Sequence, residues 1–191
     1  EKLPVDFIIN NRICYLFYNK VGSKLDSKYK SEELEPIYRK AGYMETSINE
    51  LIRIHKVLEE TGINFAVLFK AIASQCDSTD VDLIINDEQI ETVEKLMVRL
   101  GYFLPLFPFE RHGFVRSEGI NKVVQIDLDT ERLFKEFYYI FDKEKIRILN
   151  NKRKTNGLYM PSPEDELIIC IPRAIYKNQI LIGTVLHISH L

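Results

Sequence analysis

A chain of 191 residues with a 46% hydrophobic fraction can bury the core of one domain plus a small helical appendage, and its formal net charge of −2 excludes a strongly basic nucleic-acid coat. The three cysteines, Cys14, Cys76 and Cys170, are odd in number and far apart, so they offer no zinc spacing and argue against a disulfide framework. No apolar run is long enough to span a bilayer and no signal peptide is present, which predicts a protein of the reducing cytoplasm with no membrane contact.

Residues 3–22 carry Phe7, Ile8, Ile9, Ile13, Leu16, Phe17 and Val21 at a near-helical spacing, and Gly22 reads as the stop. A charged connector, 23–31, follows. Residues 32–62 show a long helical stripe through Leu34, Ile37, Ala41, Leu51, Ile54 and Leu58. Pro36 and Gly42 predict two helices or a kinked one, with Thr46 or Ser47 capping the second and Glu50 closing a capping box. His55 lies on the stripe and reads as a core histidine rather than a ligand. Gly62 ends the helix.

Next come a buried strand, Phe65–Phe69, a turn with a short helix of small residues, and a second strand, Val81–Ile85. A helix over 87–100 follows, with Ile90, Val93, Leu96, Met97 and Leu100 on its buried face and Gly101 at its end. Pro105 and Pro108 make 103–109 a loop or edge strand. Residues 111–116 and 122–129 read as a hairpin. Residues 130–150 mix helix formers and aromatics, 143–154 forms a basic turn, and Ser162, Pro163 and the following acids start a helix. The last stretch gives two helices broken near Asn178. The order predicts an α+β fold: a small mixed sheet with helices on one side, an N-terminal helical segment over 1–62, an α/β core over 63–150, and a C-terminal helical cap over 151–191.

Asp80 and Asp82 open the second strand, and side chains at i and i+2 of a strand share a face. Two like charges so close repel, and the usual compensation is a divalent cation with oxygen ligands; the plainer reading is a strand edge bearing two solvated aspartates. On the strand 122–129, Val124, Ile126 and Leu128 face one way and Gln125, Asp127 and Asp129 the other. If this strand pairs beside Val81–Ile85, Asp127 or Asp129 completes a three-carboxylate site for one or two Mg²⁺, as phosphoryl and nucleotidyl transfer require. Arg111, His112 and Arg116 could hold a triphosphate beside it, although an ordinary exposed β-ribbon accounts for them better.

Four pieces in order, Leu68-Phe69-Lys70-Ala71, Ser78-Thr79-Asp80-Val81-Asp82-Leu83-Ile84-Ile85, Leu100-Gly101-Tyr102 and Gln125-Ile126-Asp127-Leu128-Asp129, resemble the pattern of the nucleotidyltransferase superfamily. Within it the chain is similar to the small bacterial and archaeal nucleotidyltransferases, over roughly residues 40–185. The resemblance implies that fold and a Mg²⁺-dependent transfer of a nucleoside monophosphate from an NTP to an acceptor: a small molecule, an RNA end or a protein side chain. It implies Asp80, Asp82 and Asp127 as metal ligands and catalytic residues, with Asp129 the fallback third ligand, and Lys70, Ala71 and Ser78 at the nucleotide. The family's glycine after the lysine is Ala71 here, the connector from Lys70 to Asp80 is short, and the arginine often found before the D-x-D is absent. Those departures point to the alternative: a decayed nucleotidyltransferase-fold module that binds or regulates, in a toxin–antitoxin or partner-protein setting.

Overall fold

The computed structural model describes residues 3–25, 31–69, 76–78, 80–104, 113–117, 123–129, 142–176, 185 and 188–189. Lys70, Ala71, Arg111, His112, the small-residue helix after Lys70, the proline loop, the aromatic stretch 130–141 and the break near Asn178 lie outside the described residues.

Two short helices, α1 (Val5–Asn10) and α2 (Cys14–Leu25), precede the long α3 (Ser31–Glu60). Gly22 does not stop α2. It sits inside the helix, where the Tyr18 ring lies 3.0 Å from the position a Cβ would take. Nor do Pro36 and Gly42 divide α3. Leu34 and Ile37, on either side of Pro36, are fully buried against Leu3, Ile8 and Cys14, and this packing carries the helix past its missing donor. Thr46 caps nothing: its hydroxyl donates back to the Gly42 carbonyl at 2.8 Å.

The strands β1 (Phe65–Leu68), β2 (Val81–Ile85), β3 (Gly113–Ser117) and β4 (Val123–Asp129) form one sheet in the order β1-β2-β4-β3. The pairing of β2 with β4 is parallel; β1 with β2 and β3 with β4 are antiparallel. Phe103 extends the β3 edge by exchanging two backbone hydrogen bonds with Val115. Alternate residues choose opposite faces, as strand geometry demands. Phe65 and Val67, Val81, Leu83 and Ile85, and Val124, Ile126 and Leu128 pack with Met44, Leu51, Ile54 and Leu58 of α3 and with Val93 and Met97 of α4 (Ile90–Arg99). Ala66, Leu68 and Ile84 point the other way, onto Ile148 and Leu149 of α5 (Asp142–Asn151) and Ile169 of α6 (Pro163–Tyr176). The protein is thus α+β with a small mixed sheet, but helices pack on both of its faces rather than on one. Every residue of β2 is buried, because β2 is central and covered twice.

Between α5 and α6 lies a hairpin, β5 (Arg153–Thr155) and β6 (Leu158–Met160); the basic turn expected over 143–154 is for the most part helix α5, and only its end enters the hairpin. Asn156 at φ 51° and Gly157 at φ 83° supply the two left-handed residues that a two-residue hairpin turn needs. Its Leu158 and Met160 enter the main core. His55 is a core residue, as expected: it is 4% exposed and its Nε2 accepts the Tyr159 N–H at 3.0 Å. Ser162 starts α6 as expected, its Oγ accepting the Asp165 N–H at 3.2 Å. Among the described residues no helix is long and apolar enough to cross a membrane.

Glu50 closes no capping box. Buried on α3, it accepts hydrogen bonds from Arg53 Nε at 3.0 Å, from the Tyr102 hydroxyl at 2.9 Å and from Arg116 Nη1 at 2.9 Å. Arg116 is therefore engaged in tying β3 to α3. Burial alone would raise the Glu50 carboxyl, but the hydrogen bonds from Arg53 and Tyr102, with the charges of Arg53 and Arg116, outweigh it and hold the group below its ordinary 4.5. A depressed carboxyl contributes stability that is complete above the unfolded-state value and is lost as pH falls through the folded one. We expect Glu50→Gln to cost about 1–3 kcal/mol at neutral pH. It should also flatten the acid side of the stability profile below about pH 4.5, measured by urea unfolding across pH.

Candidate metal centre

The chain enters β2 through a clamped turn. Arg12, left-handed at φ 55°, links α1 to α2, and its carbonyl accepts the Asp77 N–H at 2.9 Å. The Asp77 carboxylate, 2% exposed, answers by accepting the N–H groups of Cys14 at 3.0 Å and Tyr15 at 2.8 Å. Those are donors of the first turn of α2 that no intrahelical carbonyl can reach. Three residues before Asp80, the turn is thereby bound to the N-terminal helices. Cys14 is inert in this setting: burial first, then the Asp77 charge, push its thiol up to about 12.

Ser78 continues the turn. Its N–H points at the Met44 sulfur on α3 at 3.3 Å, and its hydroxyl donates to the Asp80 carbonyl at 3.0 Å. Asp82 follows one residue into β2 and stands directly opposite Asp127 in the parallel register. Carboxylate oxygens of Asp80, Asp82 and Asp127 all lie within 4.8 Å of one another. Asp82 is buried and the other two are half-buried, so the cluster opens toward solvent on one side. The sequence expectation that the strand 122–129 lies beside Val81–Ile85 is met, and Asp127 joins the pair. Asp129 stands opposite Ile84 in the same register, and its side chain is outside the described set.

Each pair of ionised carboxylates at such a separation repels by about 3 kcal/mol at an effective dielectric near 20. Part of that is offset by Gln125, whose amide donates to both oxygens of Asp127, at 3.1 and 3.2 Å. Gln125 sits two residues before Asp127 on the same face, a neighbour that strand alternation identifies in advance. Tyr43 of α3 is the residue the sequence reading missed. It is half-buried, and its hydroxyl is raised first by burial and then by the charges of Asp80 and Asp127. Only the fold brings it there, since Tyr43 and Asp80 belong to different elements with no shared periodicity.

Three carboxylates without histidine or thiolate form a hard-oxygen donor set, suited to Mg²⁺, Mn²⁺ or Ca²⁺ rather than to zinc. Lys70 and Ala71, the expected phosphate contacts, lie outside the described residues, and both hydrogen-bond donors of Ser78 are used within the protein. No protein-family model matches this chain, and no curated protein sequence matches it.

Removing the clamp should loosen this architecture. We expect Asp77→Ala to cost about 1–3 kcal/mol, the loss of two charge-assisted bonds at a helix start. Asp77→Asn, which keeps one acceptor oxygen, should recover part of it. Equal thermal midpoints for wild type and Asp77→Ala would contradict the clamp.

Proposed function

We propose that this protein is a Mg²⁺-dependent nucleotidyltransferase of nucleotidyltransferase-like fold, moving a nucleoside monophosphate from an NTP to an acceptor hydroxyl. The observation that supports this reading most is the convergence of Asp80, Asp82 and Asp127 from two adjacent parallel strands. The ordered motif set resembling that superfamily, which contains the same three aspartates, supports it as well.

Asp80, Asp82 and Asp127 would hold the metal, which when bound neutralises phosphate charge and favours the attacking oxygen. Asp82, buried and central, fixes the inner edge of the site; Asp80 and Asp127, half-buried, face the incoming triphosphate. Asp127, whose carboxylate accepts from the Gln125 amide, would help take the proton from the acceptor hydroxyl at a carboxylate oxygen. Lys70 would neutralise phosphate, with Ala71 and Ser78 at the nucleotide as the resemblance implies. The acceptor is a small molecule, an RNA end or a side chain of a partner protein.

Thermal unfolding with and without NTP and Mg²⁺ tests the reading. NTP and Mg²⁺ together should stabilise the protein far more than either alone, by about 2.7 kcal/mol at a hundredfold excess over Kd. Asp82→Asn should fold normally and lose that synergy. Asp127→Ala should lose most of it, whereas Asp129→Ala should keep it. Absence of any synergy in the wild type would favour the module that binds or regulates without turnover.

A further inference from the structure

Beside the core contacts of Leu158 and Met160 and the bonds of Lys154 and Tyr159 to Glu59, the β5–β6 hairpin is held to α3 by an imidazole. In a two-residue hairpin the pair flanking the turn, Thr155 and Leu158, faces inward along the ladder. Alternation then turns the backbone groups of the next pair, Lys154 and Tyr159, outward. The outward Tyr159 N–H donates to His55 Nε2 at 3.0 Å. The imidazole packs against Phe65 of β1 at 4.9 Å and against the Tyr159 ring at 5.0 Å, centroid to centroid. An accepting Nε2 carries no proton, so this bond exists only for neutral His55 with its hydrogen on Nδ1.

We propose that His55 is a proton-operated latch: neutral, it docks the β5–β6 hairpin on α3 and β1; protonated, it opposes its own Nε2–H to the Tyr159 N–H and releases the hairpin.

The groups facing the ring fix the direction of the response. From its own helix comes Glu59, whose Oε2 lies 3.9 Å from Nδ1. That carboxylate is already shared with Lys154 at 3.1 Å and with the Tyr159 hydroxyl at 2.7 Å. From the hairpin side come Lys154 and Lys152, the latter 4.9 Å from the Tyr159 ring centroid and bonded to Asn64. From β1 comes the uncharged Phe65. Burial foremost lowers the proton affinity of His55; Glu59 opposes this, and Lys154 and Lys152 reinforce it. The docked state therefore gives up stability as pH falls through the ordinary 6.5 of an undocked histidine. Release would expose Leu158 and Met160, both core residues, and slacken the lead into α6. Ile169 of α6 belongs to the same apolar cluster as Ile84, which lies on the strand that carries Asp82.

Amide hydrogen exchange at Tyr159 in the full chain, compared at about pH 7.5 and about pH 5 after correction for intrinsic rates, reads the latch. Undocking should become about tenfold more frequent in the wild type at the lower pH. In His55→Gln, which retains an acceptor that does not titrate, it should not change with pH. The same pH response in both proteins, or none in the wild type, overturns the proposal. Should the variant fail to fold, ring ¹⁵N shifts of the wild type decide. An Nδ1–H tautomer that titrates together with loss of Tyr159 protection supports the latch; an Nε2–H tautomer, or titration with protection retained, refutes it.

Discussion

Parallel pairing of β2 with β4 sets Asp82 directly beside Asp127, and most of the remaining architecture is what that juxtaposition requires. Like charges repel at this range with an energy comparable to a large share of a domain's net stability. The register therefore has to be enforced from elsewhere. The apolar partners on the opposite face of the same strands enforce it: Val81 and Leu83 on β2, and Ile126 and Leu128 on β4, lock against Met44, Leu51 and Ile54 of α3. A one-residue slip of β4 would bring its acids to the core and its aliphatics to the open face, so hydrophobic burial and carboxylate convergence are two consequences of one alignment.

The N-terminal helices complete the arrangement. They supply, through Arg12, Cys14 and Tyr15, the hydrogen-bonding partners that hold Asp77 and the turn into β2. The same α3 that braces the sheet carries Tyr43 toward the acids, Glu50 toward Arg116 of β3, and His55 toward the β5–β6 hairpin. One helix thus carries contacts to the site, the sheet edge and the C-terminal region.

Strand alternation was enough to place Asp80 with Asp82, and Gln125 with Asp127, on common faces before any fold was known. The apolar character of Phe65–Phe69 and Val81–Ile85 marked both as strands, although the sheet was expected to carry helices on one face and carries them on both. The glycine and proline signals misled in α2 and α3. Burial of Leu34 and Ile37 outweighs the local cost of Pro36, and Gly22 serves the Tyr18 ring rather than a helix end. Asn156-Gly157 is the opposite case, a strong turn signal flanked by Thr155 and Leu158 that reads plainly as a hairpin yet was passed over between the basic turn ending at Lys154 and the helix start at Ser162. Tyr43, Glu50 and Asp77 were unreadable as site or clamp residues, since their partners are distant in sequence and the contacts exist only after the sheet has formed.

The account rests on the three carboxylates acting together as a hard-cation site. A crystal soaked in Mn²⁺, with diffraction collected to reveal anomalous scattering, tests it most directly. The account predicts a manganese peak coordinated by Asp80, Asp82 and Asp127 in the wild type and none in Asp82→Asn crystals of the same form. Manganese bound elsewhere, or a wild-type cluster that stays empty at saturating metal, would contradict it.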